Sequence, residues 1–336
     1  MIDRHIMIKL AITGAGYISK IHAAAASSFS DVNLTAVVDR YPETAQSFAK
    51  NYNLKRFYEN VEELLNDGGI DVLVIGTPNY LHAPQAIAAL NAGVHVMVEK
   101  PMALNAQEAY QMLEASQNSG ALLMVAHCWR FDPEVLWLRR QLEAGRLGKI
   151  IRTKGYGVHQ LWGPSGWFTQ KKLAGGGAMA DMGIHALDTT RFILGDPQPV
   201  SVYARIGTYY TNYDVDDTGI LIVNWEGGTV SYIESGWWQP YADGPEAATQ
   251  LYGTSGFGQV YPTYLLDQSG KVDPGYPYPR TNHAPQSLYN DQLRYFIQCI
   301  REHRTPNPGG QEGWINMKII DAAYKSSKTG KVIKVE

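Results

Sequence analysis

The stretch Ile8-Lys-Leu-Ala-Ile-Thr-Gly-Ala-Gly-Tyr-Ile-Ser19 decides how the first part of this chain folds. Its first half is a short, mostly apolar run that ends at Gly14, which is typical of a buried strand. A helical pattern follows from about Tyr17 to Ser28. The sequence therefore predicts a strand, a tight glycine turn and a helix in direct succession.

The same alternation of strand and helix continues through the first third of the chain. Apolar runs at 32–38, 71–75, 94–98 and 121–126 are separated by helical patterns. Repeated units of this size predict a parallel, doubly wound sheet, and ligands bind such sheets beyond the carboxyl ends of the strands. The residues that directly follow the strands are Gly14–Ser19, Asp39–Arg40, Gly76–Asn79 and Glu99–Pro101.

The turn after the first strand has the spacing of a dinucleotide-binding fingerprint. Gly14 permits the tight turn, and Gly16 lets a pyrophosphate approach the backbone at a helix N-terminus. Ser19 stands in place of the third glycine, which affects the packing of helix on strand rather than phosphate binding. Asp39 lies about 20 residues further on, where an acidic residue accepts hydrogen bonds from the adenosine ribose and favours NAD. Arg40 keeps NADP open as an alternative.

Composition and charge narrow the class of protein. The chain has 336 residues, about two domains' worth, and a formal net charge of −3, so nothing favours nucleic acid or an anionic membrane as a partner. No apolar run approaches the roughly 18 residues of a membrane span, and the N-terminus lacks a signal-peptide pattern. Cys128 and Cys299 are isolated, which favours a reducing, cytoplasmic location and leaves no cysteine zinc site.

The second part of the chain has a different pattern. Strand-like runs at 150–158, 200–207, 218–225, 229–235 and 248–253 predict an open, mostly antiparallel sheet, with a hairpin at Glu226-Gly-Gly228. The Pro-, Gly- and Tyr-rich segment 259–283 is interpreted as a long loop. Two helices, near 287–303 and 312–327, precede a last short strand. The predicted fold is a Rossmann-type α/β domain over residues 1–127, followed by an α+β domain over residues 128–336.

A polar constellation lies between the first two strands of the second domain. Three glycines, Gly175–Gly177, open what reads as one helix to Leu194, and Asp181, His185 and Asp188 follow at i, i+4 and i+7 on one face. A divalent metal held by an imidazole and two carboxylates is one alternative for such a face.

Acid–base chemistry is the alternative that we favour for this constellation. The near-neutral pKa of histidine suits His185 to accept a proton from a hydroxyl group while hydride leaves the carbon. Lys100, at the end of a predicted strand, would stabilise developing alkoxide charge beside it. Asp181 would orient the imidazole ring or bind a substrate hydroxyl group. We therefore predict Lys100, Asp181 and His185 as the catalytic residues, with no metal.

These motifs together resemble the Gfo/Idh/MocA family of glucose–fructose oxidoreductase and inositol dehydrogenase. The matching segments are Gly14-Ala-Gly16, Thr77-Pro-Asn79 with His82, Glu99-Lys-Pro101 and the run from Gly176-Gly177 into Asp181-x-Gly-x-His185-x-x-Asp188, together with Asp321–Ser326 near the C-terminus. The resemblance implies catalytic roles for Lys100 and His185 with Asp181 in support, sugar or inositol substrates, and homodimers or homotetramers built on the open face of the second sheet. With it, the predicted cofactor-binding residues are Gly14, Gly16, Tyr17, Ile18, Asp39, Arg40, Thr77, Pro78, Asn79, His82, Glu99 and Lys100.

The substrate pocket is less well defined by the sequence. Many relatives carry Asn or Arg-Arg where this chain has Cys128-Trp129, so the pocket wall differs here. Among 21 tyrosines and 8 tryptophans, a few are expected to stack on a sugar ring. The predicted pocket residues are His127, Arg130, Trp162, Trp167 and Asp188, with Trp237 and Trp238 as further candidates. The functional alternatives are an NAD-dependent, redox-assisted glycoside-cleaving enzyme and a non-catalytic NAD(P)-binding regulator.

Overall fold

The computed structural model describes residues 7–240, 246–276 and 284–336. The chain divides into two compact units. The first comprises Met1–Cys128 and Pro285–Trp314, and the second comprises Trp129–Ala284 and Ile315–Glu336. Residues 285–314, which the sequence grouped with the second domain, thus belong to the first unit.

Ten α-helices lie in the described residues. They are α1 (Tyr17–Ser27), α2 (Pro42–Asn51), α3 (Val61–Asp67), α4 (His82–Asn91), α5 (Ala106–Ser119), α6 (Pro133–Glu143), α7 (Lys171–Ala174), α8 (Ile184–Ile193), α9 (Gln286–Glu302) and α10 (Gly310–Thr329). Among these residues, none of the helices combines the length and apolar character that a membrane span requires.

The first unit is built on a six-stranded parallel sheet. Its strands are β1 (Ile8–Thr13), β2 (Val32–Val38), β3 (Arg56–Tyr58), β4 (Val72–Ile75), β5 (His95–Val98) and β6 (Leu123–Val125). They lie in the order β3-β2-β1-β4-β5-β6, so the direction of winding reverses between β1 and β4. This arrangement confirms the predicted doubly wound sheet and places the ligand crevice at the carboxyl ends of these two strands.

Helix α9 explains why residues 285–314 belong to the first unit. It packs against α1, and the ring of Tyr289 meets the His22 ring edge-on at 5.7 Å. Asp31 accepts hydrogen bonds from Arg294 at 2.7 and 2.9 Å and from Arg301 at 2.7 Å. The guanidinium groups hold the pKa of Asp31 far below its usual range, against the effect of burial. These long-range contacts are invisible in a local sequence pattern.

The second unit is built on a nine-stranded sheet. Its strands are β7 (Ile150–Gln160), β8 (Pro199–Gly207), β9 (Thr218–Trp225), β10 (Val230–Gln239), β11 (Ala247–Gly253), β12 (Gly256–Val260), β13 (Tyr264–Asp267), β14 (Val272–Pro274) and β15 (Ile333–Lys334). The order is β14-β13-β12-β11-β7-β10-β9-β8-β15. All neighbours are antiparallel except β7 and β10, which confirms the predicted mostly antiparallel sheet and its β9–β10 hairpin.

The predicted long loop at 259–283 is wrong over its described part. β12 ends at Val260, and β13 and β14 continue the sheet as short antiparallel edge strands up to Pro274. Residues 277–283 lie outside the described residues. Very short edge strands broken by Pro and Gly are a common way to end a sheet, and they give little periodic signal.

The predicted single helix before Leu194 is wrong in its first turn. Met179–Gly183 forms a π-helical turn, and the regular helix α8 begins only at Ile184. Asp216 caps the start of this segment, since its carboxylate accepts hydrogen bonds from the N–H groups of Gly177 and Met179, both at 2.8 Å. The N–H groups at the start of this segment therefore donate to a carboxylate that lies far away in the sequence.

Two glycines set how closely the π-turn and α8 lie on the sheet. A Cβ atom on Gly157 of β7 would lie 2.9 Å from the carbonyl oxygen of Met182, and one on Gly155 would lie 2.6 Å from the hydroxyl of Thr190. Both distances are shorter than a Cβ atom tolerates. The helix that carries His185 therefore rests directly on the β7 backbone, with no side chain from these two positions in between.

Candidate active site

The turn after β1 has the geometry that its glycines predicted. Gly14 has a φ of +82°, and a Cβ atom there would lie 2.7 Å from the carbonyl oxygen of Gly76 on the neighbouring β4 loop. Gly76 in turn leaves room for Ser19, since a Cβ atom on Gly76 would lie 2.5 Å from the Ser19 hydroxyl. Helix α1 therefore packs closely on the sheet although Ser19 replaces the third glycine. Gly16 is the N-cap of α1, and the following residues Tyr17 and Ile18 form its first turn.

Asp39 lies at the end of β2 with its carboxylate already oriented. One oxygen accepts the N–H of Ala15 at 2.9 Å, and the other accepts the N–H of Tyr41 at 2.9 Å. The guanidinium group of Arg40 is 4.5 Å from the centre of the Tyr41 ring and donates to its hydroxyl. The fixed carboxylate beside the glycine turn is chemically suited to a ribose diol and unfavourable to a 2′-phosphate.

The backbone of Lys100 is held by a buried carboxylate. Glu99 accepts the N–H of Lys100 at 3.2 Å on one oxygen, and its other oxygen lies 2.7 Å from Nε2 of His22 on α1. Burial alone would raise the pKa of the Glu99 carboxyl. The hydrogen bond from His22 and the positive charge of Lys100 outweigh burial, so this pKa lies below its usual value. An anionic Glu99 thus links α1 to the segment that carries Lys100.

His82 links the two neighbouring strand-end segments from the other side. Its Nδ1 lies 2.8 Å from the carbonyl oxygen of Pro101, and its Nε2 lies 2.9 Å from that of Thr77. The ring is buried, and burial lowers its pKa although both carbonyl groups act in the opposite direction. Since both ring nitrogens face backbone carbonyl groups, we interpret His82 as a residue that positions the loop of Thr77, Pro78 and Asn79 against that of Lys100.

In the second unit, the predicted catalytic side chains lie on the π-turn and on α8. Asp181 on the π-turn accepts a hydrogen bond from the indole Nε1 of Trp237 at 3.1 Å. His185 on α8 is half-buried and stacks on Trp129, with 4.8 Å between ring centres and 23° between planes. The regular i, i+4 spacing assumed for these two residues is interrupted by the π-turn.

Arg130 and Asp188 form the centre of a buried ion-pair cluster. Arg130 donates to the two carboxylate oxygens of Asp188 at 2.7 and 2.8 Å and also to Asp196. Asn316 donates to Asp188 at 2.8 Å. Burial lowers the pKa of Arg130, but the two carboxylates raise it more, so the net pKa is above its usual value. Both predicted pocket residues thus anchor α8 within its own unit.

The predicted pocket tryptophans are in different environments. Trp162 is 52% exposed and meets the ring of His159 edge-on, and its carbonyl oxygen accepts the N–H of Trp238 at 2.7 Å. The indole of Trp238 donates to the hydroxyl of Tyr213 at 3.2 Å. We call Trp162, Tyr213 and Trp238 the aromatic rim. Trp167 stacks on Phe168 instead, Trp237 is fully buried, and His127 is buried in the first unit.

Three residues with close contacts to the predicted site were missed by the sequence reasoning. Trp129 appeared only as a departure from relatives, whereas His22 and Tyr261 were not singled out at all. His22 in the second turn of α1 faces the strand ends, and this could have been inferred from helical spacing after Gly16. No local signal reveals Tyr261, which has a φ of +62° and meets Trp129 edge-on at 6.4 Å.

No group of three or more His, Cys, Asp or Glu side chains in the described ranges is arranged to hold a metal ion. The alternative of a metal site on the face of Asp181, His185 and Asp188 therefore has no geometric support in these residues. Both oxygens of Asp188 are instead engaged by Arg130.

Comparison with known proteins identifies the family. Residues 8–127 match the family model described as "Oxidoreductase family, NAD-binding Rossmann fold". Residues 135–257 match the model of the Gfo/Idh/MocA C-terminal domain. The chain belongs to the Gfo/Idh/MocA oxidoreductase family. Its six-stranded sheet is the NAD(P)-binding domain of that family, and its nine-stranded sheet corresponds to the C-terminal domain.

Individual relatives in the Gfo/Idh/MocA family align over nearly the full chain. D-glucoside 3-dehydrogenase of Escherichia coli (strain K12) is 27% identical, over 96% of each chain. The scyllo-inositol 2-dehydrogenase (NAD(+)) of Bacillus subtilis (strain 168) is 26% identical, over 98% of this chain and 96% of the relative. The structure of levoglucosan dehydrogenase in complex with NADH and levoglucosan superposes with a TM-score of 0.87 over 98% of this chain and 99% of that one, at 23% identity.

Proposed function

We propose that this protein is an NAD-dependent dehydrogenase that moves a hydride between nicotinamide and a secondary hydroxyl group of a sugar, inositol or related polyol. The observation that carries the proposal is the supported Glu99-Lys100-Pro101 segment. A lysine at a strand end is held there by a buried His22–Glu99 pair and by His82, in a chain of an oxidoreductase family. Such support of the backbone that carries one lysine is expected where its ammonium group has a chemical role.

The roles of the three proposed catalytic residues follow from their chemistry. His185 accepts the hydroxyl proton during oxidation, since an imidazole has a pKa near the working pH. Lys100 stabilises the negative charge that develops on the substrate oxygen. Asp181, oriented by the indole of Trp237, binds a second substrate hydroxyl group or orients the imidazole. Bound NAD supplies the hydride acceptor.

The first unit fits NAD better than NADP. The N-terminus of α1 at Gly16 offers backbone N–H groups to a pyrophosphate, with Tyr17 and Ile18 in the same turn. Asp39 then receives the adenosine ribose, and its charge disfavours a 2′-phosphate, while Arg40 is occupied by the Tyr41 ring. Thr77, Pro78, Asn79 and Glu99 surround the position of the nicotinamide in this proposal. The first unit is thus the cofactor domain and the second the substrate domain.

A sugar-like substrate is supported by the relatives and by aromatic side chains. Two relatives described above are named as dehydrogenases of a glucoside and of an inositol. The aromatic rim offers indole faces that stack on the apolar face of a pyranose or inositol ring, while Asp181 supplies a hydrogen-bond acceptor. The open face of the nine-stranded sheet is proposed to join protomers into a homodimer or homotetramer.

The test is an absorbance assay for reduced nicotinamide, in which the protein and NAD are mixed with a panel of inositols, aldoses, glycosides and sugar acids. We expect NAD to be reduced only when substrates of one chemical class in this panel are present. We expect His185→Ala to lose about 10²- to 10⁴-fold in kcat, because a general base contributes that much. NAD binding, measured separately by calorimetry, is the control and stays unchanged in His185→Ala.

Two results would contradict the proposed reaction. Release of a sugar from an aryl glycoside without net NADH would indicate the redox-assisted glycoside-cleaving alternative. Unchanged turnover in both Lys100→Ala and His185→Ala would show that neither residue is catalytic.

A further inference from the structure

Trp129 makes the closest aromatic contact described for the proposed general base. It lies in the short 3₁₀ turn Cys128–Phe131 and is 6% exposed. Its ring centre is 4.8 Å from that of His185, and the planes are 23° apart, an offset-stacked arrangement. One face of the imidazole is therefore covered by an indole.

The same turn contacts α8 at a second point. Arg130, the next residue, binds both carboxylate oxygens of Asp188, which follows His185 by three positions on the same helical face. Arg130 is almost completely buried, so this contact is rigid. Two consecutive residues of one turn thus fix both the helix and the ring that it carries.

Tyr261, in the turn that follows β12, supports the indole from another part of the unit. Its ring meets Trp129 edge-on at 6.4 Å with 74° between planes, and the residue is 5% exposed. Its φ of +62° is a left-handed conformation that costs a non-glycine residue roughly 1–3 kcal/mol. A conformation of this kind persists where the surrounding packing determines it, and such positions cluster at active sites.

We propose that Trp129 is a positioning residue that also makes His185 a stronger base. This inference rests on the proposed function. When the substrate O–H bond breaks, its proton forms an N–H bond on the imidazole, and the C–H electron pair leaves as hydride to the oxidised nicotinamide. The imidazole thereby becomes a cation. The electron-rich face of the stacked indole stabilises this cation and not the neutral ring, so the contact favours the transition state over the ground state.

The discriminating variants are Trp129→Phe, which keeps an aromatic face, and Trp129→Leu, which keeps apolar packing only. We expect Trp129→Leu to lose about tenfold in kcat, equivalent to about 1.4 kcal/mol of cation–π stabilisation, with substrate KM changed by less than about twofold. Trp129→Phe is expected to recover most of the loss. Trp225→Leu is the matched control, because Trp225 is equally buried in the same unit on β9.

A second measurement does not depend on turnover. Diethyl pyrocarbonate modifies accessible imidazole nitrogens, and peptide mass spectrometry locates the modified histidine. We expect His185 to be modified several times faster in Trp129→Leu than in the wild-type protein, with Trp129→Phe and Trp225→Leu close to wild type. This readout decides whether the indole shields the ring even if no substrate is turned over.

The two proposals fail in different ways. If Trp129→Leu keeps wild-type kcat while His185→Ala abolishes it, the role of Trp129 is overturned and the dehydrogenase stands. Equal losses of kcat in Trp129→Leu and Trp129→Phe would also overturn it if they are proportional to the decrease in each variant's unfolding midpoint. Such losses would show that Trp129 contributes packing alone. If the wild-type protein reduces no NAD, an unchanged modification rate of His185 in Trp129→Leu still overturns the stacking role.

Discussion

Single carboxylates organise much of the backbone around both proposed half-sites. Glu99 holds the N–H of Lys100, and Asp216 holds those of Gly177 and Met179. Asp217 is fully buried and accepts the N–H groups of three successive residues, Tyr209, Tyr210 and Thr211. A carboxylate can satisfy several N–H groups at once, which makes it effective at fixing irregular segments beside a site.

Asp39 gives a direct test of cofactor choice at the scale of one residue. We expect Asp39→Ser to lower kcat/KM for NAD by about 10- to 100-fold, the worth of hydrogen bonds to a charged group, while NADP loses much less. Steady-state kinetics with both cofactors measure this change. Glu59→Ser removes the same charge from an exposed position of the same unit and is the control. Equal losses for both cofactors would indicate that Asp39 only orders the backbone of Ala15 and Tyr41.

The His22–Glu99 pair predicts a specific dependence of stability on pH. Because the pKa of Glu99 is below its usual value in the folded protein, its contribution to stability is present at neutral pH. That contribution is lost as the pH falls through the folded-state pKa. In His22→Leu, burial dominates and raises the pKa of Glu99 above its unfolded value. The sign then reverses, so the variant gains stability as the pH falls through that raised pKa, whereas the wild-type protein loses it.

Urea unfolding between neutral and mildly acidic pH measures the difference between the two proteins. We expect His22→Leu to be about 1–3 kcal/mol less stable at neutral pH, the cost of leaving a buried acceptor without its donor. His159→Leu is the control, since His159 faces Glu246 at 3.4 Å in a partly exposed pair. Parallel stability curves for His22→Leu and the control would show that Glu99 does not depend on His22.

At the scale of elements, the anchoring of α8 predicts that Asp188 is structural. Asp188→Asn leaves Arg130 buried with only Asp196, and breaking a buried pair costs about 3–5 kcal/mol. Urea unfolding measures this loss, and substrate KM of the folded fraction is expected to stay the same. Glu143→Gln, which breaks the exposed pair with Arg139, should cost less than about 1 kcal/mol. A raised KM with unchanged stability would place Asp188 in the pocket.

The elements that could be predicted are those whose local signals agree. β1, the Gly14 turn and α1 follow from an apolar run, two glycines and helical spacing, and Asp39 follows from its distance along the chain. β13 has only four residues, so its strand character comes from pairing with β12 rather than from its own pattern. Asp216 caps the segment that begins the π-turn, and no local pattern predicts that a carboxylate from another part of the chain will bond to the N–H groups of Gly177 and Met179.

The candidate site shows the same division at the level of side chains. Lys100, Asp181 and His185 could be proposed from the sequence because residue type and position suffice to suggest proton transfer. Their supports were not, since His22–Glu99 and Trp129–His185 are contacts between segments far apart in the sequence. Arg130 illustrates the limit, because a charged residue near a motif suggests a ligand contact until its burial and partners are known.

At the scale of the whole molecule, the second sheet has one face toward α8 and one open face. A row of half-buried side chains crosses five strands of the open face, and Arg152 lies 3.6 Å from the ring centre of Tyr252. The row consists of Gln250, Lys154, Tyr232, Ile222 and Tyr203. Tyrosine and arginine side chains are enriched in protein interfaces relative to the rest of the surface.

Tyr232 tests the proposed homo-oligomer. We expect Tyr232→Glu to dissociate the assembly, because a carboxylate placed in a buried interface has no matching partner. Size-exclusion chromatography with light scattering at several concentrations measures the mass. Tyr209→Glu is the control, since Tyr209 is 74% exposed in a loop of the same unit. A wild-type protein that is monomeric at micromolar concentration, or a Tyr232→Glu variant of unchanged mass, would contradict this assembly.

The contacts of Gly155 with α8 and of Gly157 with the preceding π-turn also bear on how new substrate preferences can be engineered. Any larger residue at these two positions pushes the helix away from the sheet and carries His185 with it, so libraries there would yield mostly inactive protein. The aromatic rim is under no such constraint, because Trp162 and Trp238 are partly exposed. Selection for a different sugar should therefore diversify the rim while keeping the two glycines invariant.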